Sequence, residues 1–153
     1  MKMRNKIDRI LAKVLVFIMA VMVLNVLWQV ISRFLLGSPS SFTDELARYL
    51  MIWIGILGAA YVSGQNKHVA IDILPSRLRE KNRLRLKLLV RILIILFCLF
   101  AMVIGGSRLV YITHALEQYS PALQMPLSVV YLVIPLSGLL IIYYKLSDIL
   151  KHT

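Results

Sequence analysis

The sequence predicts an all-α fold, a polytopic membrane protein of four transmembrane helices with both termini in the cytoplasm. Two observations carry that reading. Four long apolar stretches, roughly 10–31, 46–63, 88–110 and 128–144, take up more than half of the 153 residues. A helix crosses the hydrocarbon core of a bilayer, about 30 Å thick, with about 20 apolar residues. Each stretch meets that length or nearly so. The second observation is charge placement. Fifteen of the 18 Lys and Arg residues lie in or directly beside the N-terminal segment, the C-terminal segment or the connection after the second stretch; only Arg33, Arg48 and Arg108 lie elsewhere. Lys and Arg collect in short cytoplasmic loops, so the second connection is expected inside and the first and third outside. The same asymmetry argues against insertion both ways up.

A hydrophobic share of 59% exceeds that of soluble domains, roughly 45–50%. A single membrane domain over 1–153 is expected, with spans near 10–33, 43–63, 88–110 and 127–145. The net charge of +11 is accounted for by topology, so no nucleic-acid partner is expected.

The first helix follows a basic segment, as a signal peptide would. Its apolar run is longer than a secretory core and no small-residue cleavage site follows, so a retained helix is expected. Asn25, Gln29, Ser32 and Arg33 recur at steps of three and four and share one face. Amides in a bilayer need partners. The stripe is either a polar pathway or glue to another helix, and without a carboxylate on it glue is favoured. The first outer connection carries turn chemistry in Gly37, Ser38, Pro39, Ser40 and Ser41. Ser41 with Asp44 fits a capping box at the start of helix two.

Helix two opens with Asp44, Glu45 and Arg48, spaced so that either acid reaches the arginine. Gly55, Ala59 and Ser63 recur every four residues, the spacing that admits a close backbone. Trp53, at mid-depth, suggests packing against a bulky partner. The inner connection contains His68 and Asp72, then a basic segment over 75–87. That segment either lies on the anionic inner leaflet, leucines down, or extends helix three. The second outer connection, 111–127, with Tyr119, Pro121 and Pro126, reads as a stiff cap rather than helix. Pro135 should kink the fourth span or let a neighbour approach.

Enzyme chemistry finds little support. His68, His114 and His152 fall in loops or tails, the lone Cys98 has no metal spacing around it, and no phosphate loop or nucleophile elbow occurs. Neither cofactor nor metal is expected. All seven acids lie in loops or at helix ends, whereas a proton-coupled exporter needs one in mid-membrane. The residues alone describe an accessory or scaffold subunit.

One block goes further. Residues 42–74, FTDELARYLMIWIGILGAAYVSGQNKHVAIDIL, resemble the small membrane subunit of TRAP (tripartite ATP-independent periplasmic) transporters. The matching features are Asp44 and Glu45, the run 46–50, Trp53, the Gly-Ala-Ala of 58–60 and the run 68–74 with His68 and Asp72. Ser32 and Arg33 closing helix one, and Met125-Pro126 with Tyr131 and Pro135, are similar to further family patterns. A basic residue that the family often places just after helix two is replaced here by Ser63-Gly64-Gln65, with Lys67 close by.

The resemblance implies a bacterial inner-membrane importer of an organic anion: a dicarboxylate, keto acid or sugar acid. A periplasmic solute-binding protein would capture the anion, and a large membrane subunit would move it with sodium. This chain would be the scaffold clamped to that large subunit. Asn25, Gln29, Asp44, Glu45, Arg48, Trp53, Gly55 and Ala59 are then expected at the large-subunit interface. Arg33 and Arg48 are expected to dock the binding protein, with lipids of the inner leaflet around the basic connection. The alternative is a self-sufficient small transporter or exporter working as a homo-oligomer; a membrane anchor for a redox partner is the least supported.

Overall fold

The computed structural model describes residues 2–35, 37, 40–65 and 80–150. Within them lie α1 (Lys2–Leu35), α2 (Ser41–Gly64), α3 (Glu80–Phe97), a π-helical stretch (Cys98–Gly105), α4 (Gly106–Ala115), α5 (Leu127–Tyr131) and α6 (Val133–Leu150). Among the described residues, four helical segments are long and apolar enough to cross a membrane: Arg4–Leu35, Ser41–Gly64, Leu88–Ala115 and Leu127–Ile149. The expected all-α, four-span architecture is therefore present. α3, the π stretch and α4 form the third span, α5 and α6 the fourth.

The local sequence explains each boundary. α1 runs 34 residues without a glycine or proline to interrupt it. Gly37, at φ +66°, takes the left-handed conformation just past its end. The start of α2 differs from expectation: its cap is Ser40, and that side chain makes no capping bond. Thr43 Oγ1 instead donates to the Ser40 carbonyl at 2.9 Å. Asp44 turns towards Gln29 and Arg48, so no capping box forms. α3 already begins at Glu80, so residues 80–87 of the basic segment are the first turns of helix three.

The second outer connection is also shorter than expected, because α4 stays helical to Ala115. From there to Pro126 it is a turn closed by an antiparallel bridge between Tyr119 and Pro126. The fourth span breaks at Leu132. Pro135 has no N–H to offer the Tyr131 carbonyl four residues back, which is the physical cause of the break.

The spans pack as a row in the order first, second, fourth, third: α1 lies against α2, α2 against α6, and α6 against the third span. Leu11, Ile18, Leu57 and Val133 form one buried cluster, and Ala60, Cys98 and Ile141 another. Glycines set the closest crossing. A Cβ on Gly138 would lie 2.8 Å from Met102 Cβ, and one on Gly106 would lie 2.9 Å from Ile134 Cγ2 and 3.1 Å from Pro135 Cδ. Large apolar side chains such as Val16, Phe17 and Leu24 stay about two-thirds exposed on α1, as a bilayer-facing surface requires.

Candidate functional site

The polar residues gather at the two ends of the row, and an apolar face of α2 runs between them. At the end bearing the first and third connections, here the loop end, the helix-one stripe meets α2. Asn25 is buried and donates through Nδ2 to the Thr43 carbonyl at 2.7 Å. Gln29 Nε2 donates to Asp44 Oδ1 at 3.1 Å, and Ser32 Oγ turns back to the Gln29 carbonyl at 3.0 Å. The stripe thus joins α1 to α2 within this chain. Arg48 donates to Asp44 Oδ2 at 3.1 Å, with both side chains more than half exposed. Arg33 is exposed in the last turn of α1.

Glu45 turns away from its neighbour Asp44. Its Oε2 accepts from the Ser120 hydroxyl and from the backbone N–H groups of Ala122 at 3.1 Å and Leu123 at 3.2 Å. The first turn of α2 therefore holds the third connection. About two turns deeper, Trp53 Nε1 donates to the Val130 carbonyl at 3.1 Å. That carbonyl lies just before the proline-induced break, so the bulky partner of Trp53 is the fourth span of its own chain. Gly55 and Ala59 are exposed, and a Cβ added at Gly55 or Gly58 would meet nothing within 4 Å. With Met51 and Val62 they make an uncovered stripe along α2, at steps of three and four. Ser63, the third member of the small-residue repeat, is buried instead. His68 and Asp72 lie outside the described residues.

The end bearing the termini, here the terminal end, holds a cluster that the sequence reading missed. Arg4 Nη1 pairs with Asp148 Oδ1 at 2.7 Å, and Nη2 donates to the Gly64 carbonyl. Lys145 Nζ donates to the Ser63 carbonyl at 3.3 Å, and Arg91 Nη1 to the Asp148 carbonyl at 3.3 Å. Tyr144, fully buried, donates its hydroxyl to Asp8. The last carbonyls of a helix lack intrahelical partners and carry partial negative charge. Here two cations from other helices satisfy those of α2, where the sequence has no basic residue at 63–65. The available signal was modest: Asp8 and Asp148 are carboxylates on basic flanks and need donors, which Tyr144 and Arg4 supply. Among the described residues no group of His, Cys, Asp and Glu could hold a metal ion.

The arrangement offers helix-helix locks and open faces, and comparison with known proteins says what kind of subunit carries them. The family model of the DctQ component of tripartite ATP-independent periplasmic transporters matches residues 22–153. The chain belongs to this TRAP family. A putative TRAP transporter small permease protein of Haemophilus influenzae is 27% identical over 135 residues, covering 88% of this chain and 82% of its own length. The ectoine TRAP transporter small permease protein TeaB of Halomonas elongata is 30% identical over 144 residues, covering 88% and 71%. The sialic acid TRAP transporter permease protein SiaT of Haemophilus influenzae is 32% identical over 80 residues, which are 52% of this chain but 13% of that one. The resemblance read from residues 42–74 is confirmed. This TRAP small permease is a transporter subunit of the bacterial inner membrane, crossing it with four helices.

Proposed function

We propose that this TRAP small permease is the scaffold of a secondary transporter, inserted with both termini in the cytoplasm. It clamps a large membrane subunit that imports an organic anion (a dicarboxylate, keto acid or sugar acid) with sodium, delivered by a periplasmic solute-binding protein. The observation that carries the reading is the match to SiaT: a segment like this one lies inside a far longer permease chain. A segment carried in the same polypeptide as a large permease is one that works beside it.

The uncovered stripe of α2 supports the same reading. Met51, Gly55, Ala59 and Val62 present a shallow apolar track, and small residues there let a partner helix approach closely. Arg48 stands at its loop end. Asn25 and Trp53 bond within the chain and shape this face from behind. Arg33 and Arg48, exposed at the loop end, act as rim charges towards the binding protein, tuning encounter and its salt dependence.

The test is recovery of the tagged chain from its own membranes in mild detergent, with stoichiometry by mass spectrometry. A large polytopic partner in one-to-one ratio is expected, and Gly55→Leu or Ala59→Leu should sharply reduce its recovery. Recovery of this chain alone as a discrete oligomer would overturn the scaffold reading in favour of a self-sufficient transporter. Full assembly of both leucine variants would remove this stripe as the interface.

A further inference from the structure

The connection between the third and fourth spans is built far more firmly than a link between two helices requires. Two of its residues other than glycine, Glu117 at φ 47° and Gln124 at φ 53°, sit in the left-handed region. Such conformations persist only where the surroundings over-determine them, and they cluster at functional positions. The surroundings here are explicit. Ser120 is fully buried, donates its N–H to the Met125 carbonyl at 2.9 Å and accepts from the Gln124 N–H at 3.0 Å. Leu127 N–H reaches the Gln118 carbonyl at 2.9 Å, and Gln118 N–H reaches the Thr113 carbonyl at 3.1 Å. Glu45 then ties the centre of the loop to α2 through a hydroxyl and two backbone N–H groups. Helix–helix connections in bundles commonly take about 2–8 residues with no such bracing.

What the bracing holds up is a surface. Glu117, Gln118, Tyr119, Pro121 and Gln124 are exposed at the crest of the loop, Tyr119 by 55%. An exposed aromatic ring with a carboxylate and two amides in the same short loop is the composition of a protein contact with a wet rim. It does not suit a lipid-buried helix seam, where exposed amides and carboxylates are costly.

We infer that this loop is a preformed docking knob for the soluble periplasmic component of the transporter, and that Glu45 is the positioning residue that fixes it. The inference rests on the scaffold reading and its orientation, and it moves the main contact from the rim arginines to the third connection. Preorganisation matters because a loop ordered in advance loses less freedom on binding. Tyr119 is the contact residue; Glu45 acts through Ser120, Ala122 and Leu123.

The experiment uses the assembled complex of small and large subunits in nanodiscs, titrated with the solute-binding protein of the same transporter. Tyr119→Ala, on an exposed side chain, should weaken binding by roughly tenfold, as truncation of an aromatic anchor does. Glu45→Ala should weaken it to a similar extent, and Glu45→Gln, which keeps one acceptor oxygen, should fall between. Large-subunit recovery should be unchanged in all three variants. Cys98 is buried, so a Gln118→Cys thiol can be cross-linked selectively; it should capture the binding protein, and less of it when Glu45 is alanine.

Unchanged affinity in Tyr119→Ala, or a cross-link to the large subunit, would overturn the docking surface. Loss of the large subunit in Glu45→Ala would make Glu45 an assembly residue and overturn its positioning role. Absence of any large subunit in the wild-type preparation is a different failure, that of the scaffold reading itself.

Discussion

Gly64 ends α2 against the face of the Tyr144 ring, and the hydrogen it carries in place of a side chain is what lets the two helices meet. A Cβ there would lie 2.8 Å from Tyr144 Cζ and 2.9 Å from Cε2. The ring has no room to withdraw, being fully buried and bonded through its hydroxyl to Asp8. Gly64→Ala should therefore destabilise the subunit by about 1–3 kcal/mol, the usual cost of overpacking. Thermal unfolding in detergent measures it, and an unchanged midpoint would mean the crossing is looser than described. The neighbouring ion pair gives a second residue-scale prediction. Arg4 and Asp148 are 15% and 3% exposed, whereas Arg48 and Asp44 are 67% and 57% exposed. Removing one partner of a buried pair strands the other charge and costs about 3–5 kcal/mol, while exposed pairs contribute about 0–1 kcal/mol. Asp148→Ala should thus lower stability far more than Asp44→Ala, and equal effects would refute the ranking. The loop-end bonds were legible in sequence because Asn25 and Gln29 share a helix face and amides in a span must find partners. The Arg4–Asp148 pair joins residues from the two ends of the chain, and helical spacing carries no information about such a contact.

At the scale of elements, the fourth span shows a sequence signal read correctly and its consequence read only in part. Pro135 predicted a kink, and the break at Leu132 follows from the missing N–H. The ring also fills the space over Gly106 in the third span, so the proline both interrupts one helix and seats it on another. Pro135→Ala restores a donor for the Tyr131 carbonyl but withdraws atoms from that contact. These effects oppose each other, so the net change in stability should stay within about 1.5 kcal/mol, a modest mutational effect. The local effect should be plain: the new amide at 135 should be protected from hydrogen exchange, and the existing amide at 136 should exchange more slowly, as the ladder closes. No gain in protection there would show that packing, and not the absent donor, breaks the helix. The small-residue spacing in α2 was less informative. Gly55, Ala59 and Ser63 look alike by period, yet two are exposed and one is buried. The close crossings inside the chain fall at Gly64, Gly106 and Gly138, none of them in that repeat. Period identifies a face able to take a neighbour; which neighbour arrives depends on the packing of the other three spans.

The whole molecule is a row of helices, and a row leaves two broad faces for lipid or protein to cover. The windows that cross the membrane are only 6–39% buried within the chain. Between helices in lipid there is no hydrophobic drive to close such a row into a bundle. The row is instead fastened at its ends, by Glu45 and the helix-one amides at the loop end and by Arg4, Tyr144, Lys145 and Asp148 at the terminal end. The four-span count was legible because bilayer thickness fixes helix length, but the order first, second, fourth, third was not, since every span is apolar along its length. Orientation links this architecture to the proposed role, because the braced loop can meet a periplasmic protein only if the termini are inside. The basic residues at the terminal end predict that arrangement. With Cys98 replaced by Ala, a single Gln118→Cys should react with a membrane-impermeant maleimide in cells with a permeabilised outer membrane and an intact inner membrane. A single Arg85→Cys should react only after the inner membrane is opened, since Arg85 is exposed near the start of α3 at the opposite end. The reverse pattern would invert the subunit, place the loop in the cytoplasm and remove both the docking knob and the rim arginines from any contact with a periplasmic partner. Labelling of both sites from outside would show dual insertion, which the sorting of 15 basic residues to one side argues against.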